Sequence, residues 1–163
     1  MNHFEAHFKI MQLKGAMEHV LFKEFLQHYD LPEGLNPTHV MTLMSLMMMG
    51  PIQMSELSKR LNLEKGSFTP VANKLIKKGL IKKERSEVDL RVYELSLTDS
   101  GIEMAKNFGS AHMNYTKGLL DKLDDKEAFI EAIAKVTAGL EKLSPNMFSS
   151  FEMKDFPKFP PMD

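Results

Sequence analysis

Apolar residues recur at three- and four-residue intervals over residues 4–28 and again over 37–49, a spacing that predicts two amphipathic helices. The first stripe consists of Phe4, Phe8, Met11, Gly15, Phe22 and Leu26, broadened by Leu13, Met17, Leu21 and Phe25. Because so broad a stripe exceeds what one neighbour covers, we expect the first helix to be buried on two sides. Asn36 and Pro37 suit the cap and the first position of the second helix, which Gly50-Pro51 should end.

Shorter segments follow between residues 54 and 98. They are, in order, a helical run over 55–61, a break at 62–66, a second helical run over 68–78 stopped by Gly79, and strand-like segments over 80–85 and 91–97 around a polar tip. Helix, turn, helix and β-hairpin in this order is typical of a winged helix-turn-helix domain. In such a domain the second helix enters the DNA major groove, and the hairpin reaches the backbone or minor groove beside it.

The same patterns predict which residues of these segments face the core. Residues 51–53 are expected to form a short strand that pairs with the hairpin, and Gln53 should cap the following helix weakly. On the return strand of the hairpin, alternation predicts that Tyr93, Leu95 and Leu97 point inward. The inward face of the second helical run is expected to consist of Val71, Ala72, Leu75 and Ile76.

Two more helices are predicted after the hairpin. Thr98 is expected to cap a helix that continues to about Leu123, and Asp124 with Glu127 forms a capping box for a last helix that ends near Leu143. The apolar face of the last helix consists of Phe129, Ile133, Val136 and Leu140. Two long helices joined by so short a turn suit a layer between two subunits, together with the first helix.

The C-terminal tail, residues 147–163, is rich in phenylalanine and proline. Its four phenylalanines are Phe148, Phe151, Phe156 and Phe159. Ordinary solvated disorder carries fewer aromatic side chains than this. We therefore expect the tail to drape over its own or the partner subunit.

Charge is distributed unevenly along the chain. Residues 55–91 hold ten basic and five acidic side chains, a net charge of +5, whereas the whole chain carries −1 and the remainder therefore −6. A basic centre in an acidic remainder is expected when one surface meets phosphate. A solvated lysine face would give the same count, but the order of the elements favours nucleic acid.

Several short motifs in this region form a set. They are Leu57-Ser58-Lys59-Arg60-Leu61, Asn73-Lys74-Leu75 leading into Lys78-Gly79-Leu80-Ile81, Asp89-Leu90-Arg91, and Leu95-Ser96-Leu97-Thr98-Asp99-Ser100-Gly101. Together they resemble the MarR family of transcriptional regulators, and the Asp-x-Arg followed by Leu-Thr-x-x-Gly is the most specific part. The resemblance implies a DNA-binding homodimer, usually a repressor, often released by a small phenolic or lipophilic ligand or by oxidation.

The second helical run departs from that family, in which a Ser/Thr run is often followed by arginine. Pro70 is comfortable only in the first turn of a helix, so we expect Ser67 to be the cap and Pro70 the third residue. If the helix began at Lys65 instead, Pro70 should kink it. Base contacts would fall to Ser67, Thr69, Asn73 and Lys74, since asparagine suits adenine and threonine a thymine methyl group. Simple N-capping is the alternative role for Ser67 and Thr69.

At the wing tip, the resemblance implies that Asp89 tethers Arg91 and that Arg91 touches the DNA backbone or the minor groove, where arginine reads shape. The alternative is a surface salt bridge that only shapes the loop and contributes at most about 1 kcal/mol. Basic residues on the neighbouring elements favour DNA contact. We add two of them, Lys77 and Arg85, to the predicted interface.

Composition excludes several other functions. Cysteine is absent, which excludes disulfides, thiolate metal sites and redox sensing through cysteine. We expect no cofactor, no metal and no catalysis, because we find no phosphate-binding loop, no metal-spaced histidine pair and no nucleophile motif. The chain has no apolar run near the roughly 18 residues of a membrane helix and nothing like a signal peptide, so we expect a cytoplasmic protein without a membrane partner.

A small-molecule effector would require a pocket. Our candidate is the apolar junction of Met11, Met17, His39, Leu43 and Met44. Five methionines lie in the second helix, but they spread around it, and packing in the core is a more common role for methionine than binding Cu(I).

The sequence therefore predicts a mainly α (α+β) fold, a winged helix-turn-helix with long N- and C-terminal helices that form a dimerisation layer. The predicted divisions are an N-terminal dimerisation helix (1–34), a DNA-binding lobe (35–98), C-terminal dimerisation helices (99–144) and the tail (145–163). The expected function is that of a ligand-responsive repressor, a homodimer that binds double-stranded DNA at a pseudo-palindromic operator. The alternatives are a winged-helix protein–protein interaction module without DNA function, and an enzyme that uses the helical cavity.

Overall fold

The computed structural model describes residues 2–86 and 89–143, and only the backbone of Lys65. The Phe- and Pro-rich tail, whose draping over a subunit was predicted, lies outside the described residues, as do Glu87 and Val88 of the wing tip. The chain divides into two compact units, Met1–Pro37 and Thr38–Asp163.

The first unit is helical over the predicted stretch. It consists of α1 (His3–Met17), a π-helical segment (Glu18–Lys23) and α2 (Glu24–His28), so the predicted helix is confirmed with a π segment that its apolar spacing did not show. A capping box opens α1, in which the Asn2 side chain accepts a hydrogen bond from the Glu5 amide at 2.9 Å. In the single protomer Phe4 is 77% exposed, so this end of the predicted stripe faces solvent.

The second unit has the predicted order of elements. They are α3 (Pro37–Met49), β1 (Ile52–Gln53), α4 (Met54–Arg60), α5 (Lys65–Lys77), β2 (Ile81–Arg85), β3 (Tyr93–Leu97), α6 (Asp99–Leu120) and α7 (Lys126–Leu143). The sheet is antiparallel in the order β1-β3-β2, and Ile52 lies opposite Leu95. The predicted pairing of residues 51–53 with the hairpin, and the winged helix-turn-helix fold, are therefore confirmed.

The inner face of α5 packs against the hydrophobic core of this lobe. The fully buried side chains of the lobe include Leu57, Phe68, Leu75 and Leu95. Each contributes roughly 1.5–3 kcal/mol relative to an exposed side chain. Ala72 is buried as predicted, but Ile76 is exposed although it was predicted to face inward. Phe68, which lies one turn before the first residue of the predicted inner face, is buried instead.

Caps define the ends of the last two helices. Thr98 caps α6 as predicted, with its hydroxyl accepting a hydrogen bond from the Gly101 amide at 3.1 Å. At the start of α7 the cap is Asp125 rather than the predicted Asp124, since the Asp125 carboxylate accepts a hydrogen bond from the Ala128 amide at 2.9 Å. Across the ranges the structure describes, no helix is both long and apolar enough to cross a bilayer.

Candidate nucleic-acid interface

The second helix of the helix-turn-helix, α5, begins earlier than predicted. Its N-cap is Glu64 and its first residue is Lys65, and the Phe68 amide donates a hydrogen bond to the Glu64 carbonyl at 3.0 Å. Pro70 is therefore the sixth helical residue and not the third. Burial of Phe68 in the first turn explains the difference, because it stabilises that turn by more than a cap at Ser67 would.

The earlier start changes the role of the residues predicted to read bases. Ser67 is the third helical residue and its side chain is exposed, which removes N-capping as its role. Asn73, Lys74 and Lys77 are exposed as well, whereas Thr69 is half-buried. Lys77 lies three residues after Lys74 and four after Asn73, and Ser67 lies two turns before Lys74, so all four side chains share one outward face of α5, opposite the face that is buried.

A tight turn at Gly79 joins the end of α5 to the hairpin. Gly79, with a φ of 69°, ends the helix as predicted, and the amides of Gly79 and Leu80 donate hydrogen bonds to the carbonyls of Ile76 and Leu75 at 2.9 and 3.0 Å. Thr98 lies across this turn, with its hydroxyl donating to the Gly79 carbonyl at 2.6 Å and its amide donating to the Leu80 carbonyl at 3.1 Å. One residue therefore connects the end of α5, the hairpin and the start of α6.

Gly101 allows α6 to approach this junction. A Cβ added there would lie 2.9 Å from the carbonyl carbon of Leu80, closer still to its oxygen, and 3.2 Å from a methyl carbon of Leu97. A backbone carbonyl cannot rotate away as a flexible side chain can. The Leu-Thr-x-x-Gly motif is thus explained by the threonine that joins the three elements and the glycine that lets them meet.

The two faces of the hairpin differ in charge. On one face Lys82 pairs with Glu84 at 2.8 Å, so the lysine is neutralised beside its own strand. On the other face Lys83 and Arg85 are exposed, and Arg85 lies opposite Tyr93 in the strand register. Within the part of the chain that the structure describes, no carboxylate lies within 4.0 Å of the Lys83 or Arg85 nitrogens.

Tyr93 is the return-strand residue for which the predicted burial is wrong. Leu95 is fully buried and Leu97 half-buried, but Tyr93 is 45% exposed. Tyr93 lies on the predicted face of β3, the same face as Leu95 and Leu97, but beyond the end of the core. Cationic rather than apolar side chains therefore lie against its ring. The Lys83 ammonium lies 4.9 Å and the Arg85 guanidinium 5.8 Å from the ring centroid, and Arg85 Nε donates to the Tyr93 hydroxyl at 3.4 Å.

The tip of the wing is ordered by Asp89. Its carboxylate accepts a hydrogen bond from the Arg91 amide at 2.9 Å, and its carbonyl accepts one from the Val92 amide at 2.9 Å. The tether implied by the resemblance thus involves the backbone of Arg91, which forms a turn and leaves the guanidinium exposed.

His39 of α3 lies close to the basic end of α5. It is 8% exposed, and its pKa is lowered by burial and, secondarily, by the positive charges of Lys74 and Lys78. Leu43, on the same helix, is fully buried. Of the other residues predicted for an effector pocket, Met11 and Met17 belong to the first compact unit and are exposed.

The fifth of those residues, Met44, lines a cavity of about 560 Å³ between α3, α6 and α7. Other lining residues are His112, Met113, Thr116, Leu120 and Ile130. Four of these residues lie on one face of α6, but Met44 and Ile130 come from other helices, so the spacing of apolar residues could not bring the three helices together as one site. Among the residues whose placement is described, no group of three or more histidine or acidic side chains could hold a metal ion.

Known proteins with similar sequences are transcriptional regulators. Residues 35–93 match the MarR family. The HTH-type transcriptional repressor MdtR of Bacillus subtilis (strain 168) is 35% identical over 69 residues, which are 42% of this chain and 44% of that protein. The HTH-type transcriptional regulator SarZ of Staphylococcus haemolyticus (strain JCSC1435) is 26% identical over 124 residues, 74% of this chain and 84% of that protein. The match thus spans less than half of MdtR and most of SarZ.

Solved structures share the fold. A MarR family protein from Bacillus stearothermophilus superposes with a TM-score of 0.70 at 18% identity, over 88% of this chain and 99% of that one. FabT of Streptococcus pneumoniae, solved in complex with DNA, superposes with a TM-score of 0.65 at 20% identity, over 90% of this chain and 99% of that one.

Proposed function

Because residues 35–93 match the MarR family, we propose that this protein is a DNA-binding transcriptional regulator of that family. The observation that carries the proposal is the outward face of α5, where Ser67, Asn73, Lys74 and Lys77 are exposed above a fully packed inner face. The lysines suit phosphate, whereas Ser67 and Asn73 suit base edges in the major groove. FabT, which has the same fold and was solved in complex with DNA, supports DNA as the partner.

The wing adds a second set of contacts in this proposal. Lys83 and Arg85 lie on one face of the hairpin, and the exposed Arg91 lies at its tip beside the turn that Asp89 orders. These cations would neutralise backbone phosphates or enter the minor groove beside the site that α5 reads. Thr69, half-buried on the flank of α5, would contribute less than Ser67 and Asn73.

DNA binding is tested by fluorescence anisotropy with DNA from upstream of the protein's own gene and with mixed-sequence DNA, at several salt concentrations. The Arg91→Ala variant removes a proposed contact, and Lys142→Ala removes an exposed charge at the end of α7 as a matched control. We expect tight, salt-dependent binding, with a slope of log K against log salt that falls by about 0.9 for each lost phosphate contact. Arg91→Ala should show this fall and Lys142→Ala should not.

The alternatives give different results. Tight binding that is indifferent to Arg91→Ala would retain the regulator and discard the wing-tip contact. Weak, salt-insensitive binding to both DNAs would favour the protein–protein interaction module instead. Preference for the upstream DNA would support autoregulation, which is common for a repressor encoded beside its targets.

A homodimer is the proposed assembly. In the protomer, α7 leaves Phe129, Val136 and Leu140 exposed along one stripe, more apolar surface than one helix normally shows to water. Two-fold symmetry would then place two α5 helices about 34 Å apart, one DNA turn, on a pseudo-palindromic site. Val136→Glu should shift the protein toward monomer in sedimentation at micromolar concentration. Ala138→Glu, the same change of charge on an exposed residue on the opposite side of α7, should leave the assembly unchanged.

Effector response is proposed to involve the cavity between α3, α6 and α7. Its volume of about 560 Å³ lies in the range of roughly 300–1,000 Å³ typical of small-molecule sites, and its walls include Met44, Met113 and Ile130. A ligand that favours one spacing of the two α5 helices would change DNA affinity by its differential affinity for that state. Compounds that release DNA from the wild type and from Thr116→Ala, but not from the cavity-filling Thr116→Phe, would place the effector here.

A further inference from the structure

Three side chains of the wing, Lys83, Arg85 and Tyr93, form a cluster on one face of the hairpin. Successive residues of a strand point to opposite faces. Lys83 and Arg85 therefore share one face of β2, and Tyr93 lies on the same face of β3, directly opposite Arg85. On the reverse face, Lys82 is paired with Glu84. Among the residues of the hairpin that the structure describes, the cation on one face is paired with a carboxylate, and the two cations on the other face lie beside an aromatic ring.

The geometry of the cluster is specific. Lys83 Nζ is 4.9 Å and Arg85 Cζ 5.8 Å from the centroid of the Tyr93 ring, both within the distance at which a cation is attracted to an aromatic face. Arg85 Nε also donates to the Tyr93 hydroxyl at 3.4 Å. The same hydrogen bond, followed by the positive charges of Arg85 and then Lys83, holds the pKa of Tyr93 below its usual value. Tyr93 therefore contacts two cations at once.

We propose that Tyr93 is a positioning residue for DNA binding, whose ring holds Lys83 and Arg85 side by side as one phosphate-binding pair. The inference rests on the proposed function and adds a residue that the sequence pattern assigned to the core. Lysine and arginine side chains are long and lose rotamer freedom when they bind. If the ring already restricts them in the free protein, less of that freedom is lost on contact with DNA, and affinity increases without any additional phosphate contact.

This mechanism makes a distinction that can be measured. Removal of a contacting cation lowers both the affinity and the slope of log K against log salt, by about 0.9 per phosphate. Removal of the ring leaves both cations in place, so affinity should fall while the slope stays the same. The probe is mixed-sequence double-stranded DNA of roughly 30 base pairs, long enough for two half-sites one turn apart. Phosphate contacts do not depend on sequence, so no operator is required.

The variants form a matched series. With Tyr93→Leu we expect DNA binding about three- to tenfold weaker with an unchanged slope, because DNA must then order two long side chains that the ring no longer restricts, and tenfold corresponds to 1.4 kcal/mol. Tyr93→Phe keeps the ring and should bind within about twofold of the wild type. Arg85→Ala should lower the slope. Lys83→Ala should weaken binding more than Lys82→Ala, its neighbour on the neutralised face.

A readout without DNA tests the geometry itself. Ring currents should shift the side-chain methylene protons of Lys83 and Arg85 upfield in NMR spectra of the free wild type and of Tyr93→Phe. In Tyr93→Leu these protons should have ordinary values. Unshifted protons in the wild type would overturn the cluster whatever the DNA result.

The remaining outcomes separate this inference from the proposed function. If the wild type binds DNA with steep salt dependence but Tyr93→Leu binds equally well, the positioning role is wrong and the regulator stands. If Tyr93→Phe is weakened as much as Tyr93→Leu, the hydroxyl and not the ring is responsible, through its hydrogen bond with Arg85 or a contact of its own with DNA, and positioning by the ring is wrong. If the wild type shows no salt-dependent binding, both proposals are wrong.

Discussion

Substitution of Gly101 by alanine tests whether the junction of α5, the hairpin and α6 needs close backbone approach. The new Cβ would lie 2.9 Å from the Leu80 carbonyl carbon and closer to its oxygen, inside the distance of 3.0 Å that real Cβ atoms keep. The start of α6 would have to move away from Leu80. That movement would also strain the hydrogen bonds from Thr98 to the Gly79 and Leu80 carbonyls, at 2.6 and 3.1 Å.

The size of the effect follows from three contributions. Overpacking of a tight site costs about 1–3 kcal/mol, and loss of the Thr98 cap costs about 1 kcal/mol more. Alanine gains at most about 1 kcal/mol of helix propensity over glycine. We therefore expect Gly101→Ala to lower the free energy of unfolding by about 1–3 kcal/mol, which corresponds to a fall in Tm of roughly 2–12 °C for a chain of this size.

Urea denaturation followed by circular dichroism measures this change, with all variants at one protein concentration so that any dimerisation contributes equally. Gly118→Ala, in the same helix, is the control, because its new Cβ would meet no atom within 4 Å. The control should be as stable as the wild type or up to about 1 kcal/mol more stable. If Gly101→Ala denatures at the same urea concentration as Gly118→Ala, the close-approach explanation of the motif is wrong.

Two further predictions concern α5 and the helix beneath it. Pro70 is the sixth residue of α5 and is exposed, so Pro70→Ala restores an amide hydrogen bond without loss of packing. This substitution should raise the free energy of unfolding by about 1–3 kcal/mol in the same urea assay. An unchanged or lower urea midpoint would contradict the helix start at Lys65. The pKa of His39 is lowered in the folded protein by burial and by Lys74 and Lys78, so the unfolded chain takes up the proton first as pH falls. The stability that neutral His39 contributes is complete above its ordinary pKa of 6.5 and is lost as pH falls below that value. In His39→Gln, the urea midpoint should therefore depend less on pH between about 7 and 5 than it does in the wild type. An equally steep dependence would show that other groups dominate.

The order of elements was predictable because each element shows either a regular spacing of apolar residues or a residue that typically caps or ends a helix. The three- and four-residue spacing over 37–49, the stop at Gly79 and the cap at Thr98 all correspond to the observed helix ends. The basic outward face of α5 followed as well, since the lysines had to lie opposite Ala72 and Leu75 once that face was buried.

The errors occurred where tertiary contacts outweigh local preference. Proline and serine preferences favoured a helix start at Ser67, but burial of Phe68 starts α5 at Lys65, before Pro70 can occupy the first turn. Alternation correctly assigned Tyr93 to its face of the hairpin but could not show that the core ends at Leu95. A signal for the cationic cluster was nevertheless present, since Lys83 and Arg85 are two apart on a strand that pairs with an aromatic residue.

The π-helical segment between Glu18 and Lys23 allows the N-terminal helix to lose one residue at this place without a change of register. A π segment contains one residue more than the α-helical turn it replaces, and one residue corresponds to about 100° of rotation. Deletion of a single residue within this stretch would therefore leave an ordinary α-helical turn and keep the orientation of Phe4 and Phe8, whereas the same deletion in α1 after Phe8 would turn both side chains by about 100°. If those side chains bind a second subunit, paralogues that lack one residue of the π segment should still form mixed dimers, and paralogues that lack one residue of α1 after Phe8 should not.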